Sequence, residues 1–488
     1  MGPAAGVGHP NVLPFRSSLD MLRKNRDLEY CSEDEWSVAR FRKEALRTLI
    51  SSMAFVTLLP AGLVAQAVPP TAMTTPQATV YGSGFQSPLQ FTGESAPVNQ
   101  LSLGMGASLF YDDNVLGIGT HGVGDEAFSF NSMLGITRQT ERLTASFNYT
   151  PFFILYRTFN QFDRLNHTGN LNLGYRLTSR VNLGFYDSAS YQTGNYSSLT
   201  EEQLLSGPPS PTALNQVIIP YTTRTFFNNG GLALTFVKSQ RTSLTLSADY
   251  NQNKFGRQMA GQALYNSNGL GGGLTYQYRV TEHTSFGILL LHQDSTYQGG
   301  QVFGYLQRMQ AESAVLSVGS HLSPTVSVTV FGGPQYLHVI GQVSPGGSLK
   351  GNFQPFGGGS ITKQVRKTAF NLSFQKSVSN GAGLYASAVN TMATLGVRRR
   401  LVGRWEASLH CGASRMDTSL FQLTNEKTDG LNGGITINRP VLRGSVFRIS
   451  YSTWHQTSSG NLPNPFNLGS SQVAAGIDYQ FKALPLGR

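Results

Sequence analysis

The residues that could do chemistry are few and scattered. Asp112, Asp113 and Asn114 follow one another directly, and clustered oxygen ligands are what a Ca²⁺ ion requires. No glutamate stands at the spacing that would complete such a loop, so a turn in which Asp and Asn bond their own backbone is the expected arrangement. The chain has nine histidines, of which His121, His167, His283, His292, His321, His338, His410 and His455 follow residue 67. A nucleophile needs a base within hydrogen-bond reach, yet there is no Gly-x-Ser-x-Gly elbow and no histidine pair at zinc-binding spacing. The expectation is no enzyme: no catalytic residue, no metal and no cofactor. Cys31 and Cys411 are the two cysteines; Cys31 precedes the expected cleavage site, so the mature chain keeps one thiol and no internal disulfide.

Charge offers more. The formal net charge is +11, and residues 1–67 are nearly balanced, so the basic excess belongs to the remainder. Arg180, Lys238, Arg241, Arg279, Lys363, Arg366, Lys367, Arg398, Arg399, Arg400 and Arg439 fall in or beside short polar turns. They form no stripe on one helix, so nucleic acid is not an expected partner. At the rim of a membrane protein such residues snorkel to the interface; around a pore mouth they would favour anions, because charged rings select by sign. Asp112, Asp113, Asp125 and Glu126, with Glu201 and Glu202, fall instead in or beside the longer connections and are expected at the outer loops.

The elements that carry these turns read with a period of two. Leu101, Leu103, Met105, Ala107, Leu109 and Tyr111 alternate with Ser102, Gly104, Gly106, Ser108 and Phe110, so one strand face is apolar and the other small or polar. The pattern recurs in Leu143-Ala145-Phe147-Tyr149, Val181-Leu183-Phe185, Leu244-Leu246-Ala248-Tyr250, Val326-Val328-Val330, Phe370-Leu372-Phe374 and Val473-Ala475-Ile477-Tyr479-Phe481. Alternation places about eighteen strands (16–18), starting near residues 101, 126, 141, 165, 181, 223, 241, 264, 282, 305, 325, 352, 367, 384, 401, 430, 443 and 470. Their connections are alternately short and long, the longest running from Gln192 to Thr222.

Composition agrees with that reading. Charged residues are 13% of the 488, about half the usual ~25%. Aromatics reach 11%, with 29 Phe and 20 Tyr, yet the mean hydropathy is only −0.17. Beyond residue 67 no run of about 20 apolar residues could form a membrane helix, whereas a barrel strand needs only every second residue apolar. An open sheet edge in lipid would leave backbone groups unpaired, so the sheet must close. The expected fold is therefore all-β: a closed antiparallel transmembrane β-barrel with short periplasmic turns and longer extracellular loops.

The front of the chain reads as an export address. Arg40-Phe41-Arg42-Lys43-Glu44-Ala45-Leu46-Arg47 precedes an apolar stretch from Thr48 to Val64 and then Ala65-Gln66-Ala67, the order of a secretory signal peptide with cleavage after Ala67. Residues 1–67 are thus an N-terminal extension and signal peptide. Residues 68–99, carrying Pro69, Pro70, Pro76, Pro88 and Pro97, are a flexible periplasmic lead-in. Residues 100–482 form the barrel, and 483–488 a periplasmic tail. The expected location is the outer membrane of a Gram-negative cell, with outer-membrane lipid as one partner.

Tyr111-Asp112-Asp113-Asn114-Val115, with turns of the form Tyr175-Arg176-Leu177-Thr178-Ser179-Arg180, resembles the β-barrel porin-2 type of outer-membrane protein, some members of which accompany exopolysaccharide export. The last strand, ending in Tyr479 and Phe481, resembles the signal read by the barrel-assembly machinery, although Lys482 to Arg488 follow it.

The leading functional reading is a porin-like barrel passing small hydrophilic solutes by passive diffusion, with an anion bias if the basic rim faces the pore. Ser102, Gly104, Asn170, Asn172 and Thr245 suit an aqueous lumen. The alternative is a polysaccharide-export accessory or surface-binding barrel with a plugged lumen, in which inward Phe110 and Tyr186 would stack on sugars. A barrel-embedded hydrolase is the third. The oligomeric state is not fixed by the sequence.

Overall fold

The computed structural model describes residues 99–115, 122–193, 224–256, 265–298, 306–341, 351–379, 388–417, 427–459 and 467–486. The signal peptide, the lead-in to residue 98 and the 194–223 connection with Glu201 and Glu202 lie outside them.

Strands account for nearly all of these residues: β1 (Gln100–Asp112), β2 (Asp125–Gln139), β3 (Leu143–Tyr156), β4 (Arg164–Arg176), β5 (Val181–Thr193), β6 (Arg224–Ser239), β7 (Thr242–Phe255), β8 (Asn266–Arg279), β9 (Thr284–Gln298), β10 (Leu306–Ser323), β11 (Val326–Gly341), β12 (Asn352–Val365), β13 (Thr368–Ser379), β14 (Ala388–Arg400), β15 (Glu406–Asp417), β16 (Lys427–Leu442), β17 (Ser445–Ser459), β18 (Asn467–Gln480) and the two-residue β19 (Leu484–Pro485). One 3-10 turn, Asn160–Phe162, interrupts the series.

Each of β1 to β18 pairs antiparallel with its sequence neighbours, and β18 returns to β1 from Gly104↔Gln480 to Asp112↔Gln472. The result is a closed eighteen-stranded antiparallel barrel. Closure removes both edges, the only way a sheet can cross hydrocarbon without orphaned N–H and C=O groups. The expected tail is in part wall: Leu484 and Pro485 pair with Leu101 and Gln100, and Leu486 N–H donates to the Asn99 carbonyl at 2.9 Å.

The registers combine to a shear of about 22 residues around the wall. With eighteen strands this sets a tilt of about 40° and a backbone diameter of about 34 Å. A cylinder that wide cannot be filled by the side chains of its own wall.

The wall is apolar outside and polar inside, the inverse of a globular protein. Leu109, Leu246, Leu290, Leu372, Leu431 and Ile477 are exposed on the outer face. Aromatics border this belt on both sides: Tyr175, Phe236, Tyr276, Tyr278 and Tyr479 near the short turns, and Tyr111, Tyr191, Tyr336, Phe353 and Tyr451 towards the long connections. An apolar band between aromatic girdles is the lipid contact of a transmembrane barrel.

Among the described residues three short connections hold a left-handed residue, one of them Gly403 (φ +68°) between β14 and β15. Gly444 (φ +77°) serves another, whereas Arg366 (φ 49°) occupies such a position between β12 and β13 without glycine's freedom. The β12–β13 ladder also ends early. It runs from Val365 only to Gly357, and Pro355, with no N–H to donate, stands just beyond.

Candidate functional site: the lumen wall and the short-turn mouth

Every second residue of a strand must face the lumen, and the sequence fills those positions with amides, hydroxyls and glycine. Register places Ser102, Gly104, Asn170, Asn172 and Thr245 on the inner face. Their polar groups pair along the wall: Ser188 Oγ donates to Asn170 Oδ1 at 2.7 Å, the Thr235 and Thr245 hydroxyls are 3.0 Å apart, and Ser373 and Thr394 are joined at 2.6 Å. Asn229, Asn253, Gln277, Gln335, Gln375 and Gln456 belong to the same lining.

Phe110 and Tyr186 both pack against the wall. Phe110 meets the edge of Tyr156 at 6.0 Å within a cluster that includes Ile154 and Phe152. Arg164 sits over the Tyr156 ring at 5.7 Å. Tyr186 lies flat against the wall at Gly231, where an added Cβ would come within 2.6 Å of its hydroxyl.

The basic residues all lie at the short-turn end, but they do not form one ring into the lumen. Arg279, Arg398 and Arg400 face inward, opposite Ser285, Ser408 and Glu406. Lys238, Lys363, Arg399 and Arg439 face outward, and Arg439 covers the Trp405 ring at 5.0 Å. Arg180, Arg241, Arg366 and Lys367 occupy the turns themselves. Sequence reading passed over Arg138, Arg142, Arg176, Arg404, Arg443, Arg448 and Lys482 at the same rim. Arg176 and Arg448 face the lumen, and the parity of their strands would have shown it. Inward acids are fewer: Glu406, 3.6 Å from Arg398, and Asp478, 2.6 Å from Arg448.

Asp112, Asp113, Asp125 and Glu126, expected in or beside the longer connections, stand at the long-connection end of β1 and β2. Asp112 and Asp125 end β1 and begin β2 opposite one another, and both are buried. The Asp112 carboxylate accepts from Ser470 Oγ at 2.5 Å, Gln472 Nε2 at 2.8 Å and Asn114 N–H at 3.0 Å. Asp113 accepts from Ser471 N–H at 2.6 Å, and Asn114 Nδ2 donates to the Gly469 carbonyl at 2.7 Å. The Asp-Asp-Asn run is thus a turn that latches β1 to β18 where the cylinder closes. Asp125 accepts from the N–H groups of Glu126, Thr158 and Phe159, and so fixes the next connection. Of these four described acids Asp113 and Glu126 are exposed; Glu126 pairs with Arg157 at 2.9 Å.

Among the described residues no cluster of three or more His, Cys, Asp or Glu is placed to hold a metal ion. Cys411 is on the outer face.

The fold and its belt define the class: a transmembrane β-barrel. No family model matches the chain, and no curated protein matches it. Among solved structures it is similar to the FrpB iron transporter from Neisseria meningitidis, at 8% identity and TM-score 0.39 over 78% of this chain and 81% of that one. The siderophore receptor PiuA from Acinetobacter baumannii gives 7% identity and TM-score 0.41 over 79% and 82%. The ferric citrate transporter FecA gives 8% and 0.41 over 80% and 79%. Likeness at this level does not carry the ligands of those proteins to this chain.

Proposed function

We propose that this chain is an outer-membrane, porin-like barrel through which small hydrophilic solutes diffuse without energy input. The observation that carries the reading is the combination of width and lining: about 34 Å between facing backbones, and an inner face of Asn, Gln, Ser, Thr and Gly. A solute moving along such a wall exchanges water for amide and hydroxyl partners. At the short-turn mouth Arg176, Arg279, Arg398, Arg400 and Arg448 outnumber Glu406 and Asp478, which supports an anion bias.

The export-accessory reading is less well supported, because one of its aromatic candidates, Phe110, is packed edge-on within a wall cluster. Proteoliposome swelling tests the proposal: uncharged mono- and disaccharides should enter vesicles that hold the protein, at rates falling with solute size. Swelling no faster than in protein-free vesicles would refute an open path.

A further inference from the structure

On β5 a carboxylate interrupts the apolar outer face. The outward positions of β5 are Val181, Leu183, Phe185, Asp187, Ala189 and Tyr191, so a carboxylate stands between apolar residues on both sides. It is opposite Leu171 of β4 and Gly230 of β6. Asn228 Nδ2 donates to its Oδ1 at 3.0 Å, and an added Cβ at Gly230 would meet that oxygen at 2.8 Å. One donor leaves most of the acceptor capacity of an ionised carboxylate unused, and a charge facing hydrocarbon is costly and rarely kept without a partner.

The same patch carries a matching donor. Tyr149 faces outward on β3, its hydroxyl 2.6 Å from His167 Nδ1 on β4, with the two rings stacked. If the imidazole supplies the proton of that bond, the phenol can donate outward. Strands tilted by about 40° climb about 3 Å per strand around the barrel. That offset brings Tyr149 of β3 and Asp187 of β5 to nearly equal height, one on each side of β4. Between them β4 presents Gly169, where an added Cβ would meet nothing within 4 Å.

We propose that the outer face of β3 to β6 is a two-fold interface with a second copy of this chain, in which Asp187 of each barrel accepts from Tyr149 of the other. Two barrels inserted in the same sense are related by an axis along the membrane normal, which preserves height and exchanges left for right. An axis through β4 at Gly169 therefore sets each carboxylate against the other copy's tyrosine, and glycine allows the walls to approach. An acceptor and a donor on one patch make it self-complementary, the requirement of an isologous contact. Lipid headgroups lie at the borders of the belt, away from the depth of Asp187.

Sedimentation equilibrium of the full chain in mild detergent, with native mass measurement in lipid nanodiscs, tests this. The expected result is a particle of two chains. Tyr149→Phe and Asp187→Leu each weaken it about tenfold, and Gly169→Trp yields single barrels that still show heat-modifiable mobility. Single or threefold particles for the parent chain would overturn the proposal, as would a Gly169→Trp protein that dimerises like the parent.

Discussion

Replacing Asp112 with alanine tests how the cylinder is closed. β1 and β18 are brought together from opposite ends of the barrel domain, and the long-connection end of their ladder is held by one carboxylate with three donors, at 2.5, 2.8 and 3.0 Å. Hydrogen bonds to an ionised acceptor contribute roughly 1.5–3 kcal/mol each, which bounds the loss from above. The Ser470 hydroxyl and Gln472 amide can rotate towards water in the lumen, so the expected net loss is about 3 kcal/mol. Asp112→Asn keeps one acceptor oxygen and should cost about 1 kcal/mol. The assay is reversible urea unfolding in lipid vesicles, followed by tryptophan fluorescence, with Trp454 on the adjacent β17 as a reporter. Hydrogen exchange should show the loss concentrated along Phe110–Asp112 and Ser470–Gln472. An alanine variant within about 0.5 kcal/mol of the parent would refute the latch.

Three further expectations follow from the wall and its turns. Leu246→Arg puts a charge on the lipid face and should cost about 2 kcal/mol in the same unfolding assay, whereas Thr245→Arg, one residue away and facing the lumen, should leave stability nearly unchanged and reduce conductance. Arg366→Gly should stabilise the barrel by about 1 kcal/mol, because it relieves a side-chain-bearing residue at φ 49°; no gain in urea midpoint would count against that strain. Reversing the inward Arg279, Arg398 and Arg400 to glutamate should turn the ion preference of the channel from anions to cations, read as a change in sign of the reversal potential.

Alternation made most of the wall legible in advance. The expected starts near residues 101, 126, 181, 223 and 352 fall within one residue of observed strands, and every apolar run quoted from the sequence faces outward. Boundaries drift where alternation fades: β14 begins at Ala388 and β15 at Glu406, against expectations near 384 and 401. Period-two reasoning says nothing about partners distant in sequence. The pairing of Leu484–Pro485 with β1 and the role of Asp112 at the closing seam could not be seen that way, because both depend on residues more than 350 positions apart meeting in space. The basic residues stand in or beside the short turns, and turn position alone did not divide them by face. Strand parity would have separated Arg398 from Arg399. The same parity, carried two residues past Phe185, would have exposed Asp187 as a charge on the lipid side.

An open barrel offers a water-filled path for ions as well as for uncharged solutes. Single-channel current across a planar bilayer, with protein extracted from outer membranes and a salt gradient between the two sides, tests it most directly. An open pore with a basic mouth should give discrete conductance steps with a reversal potential on the anion side. A folded, heat-modifiable barrel that inserts and passes no current would contradict it.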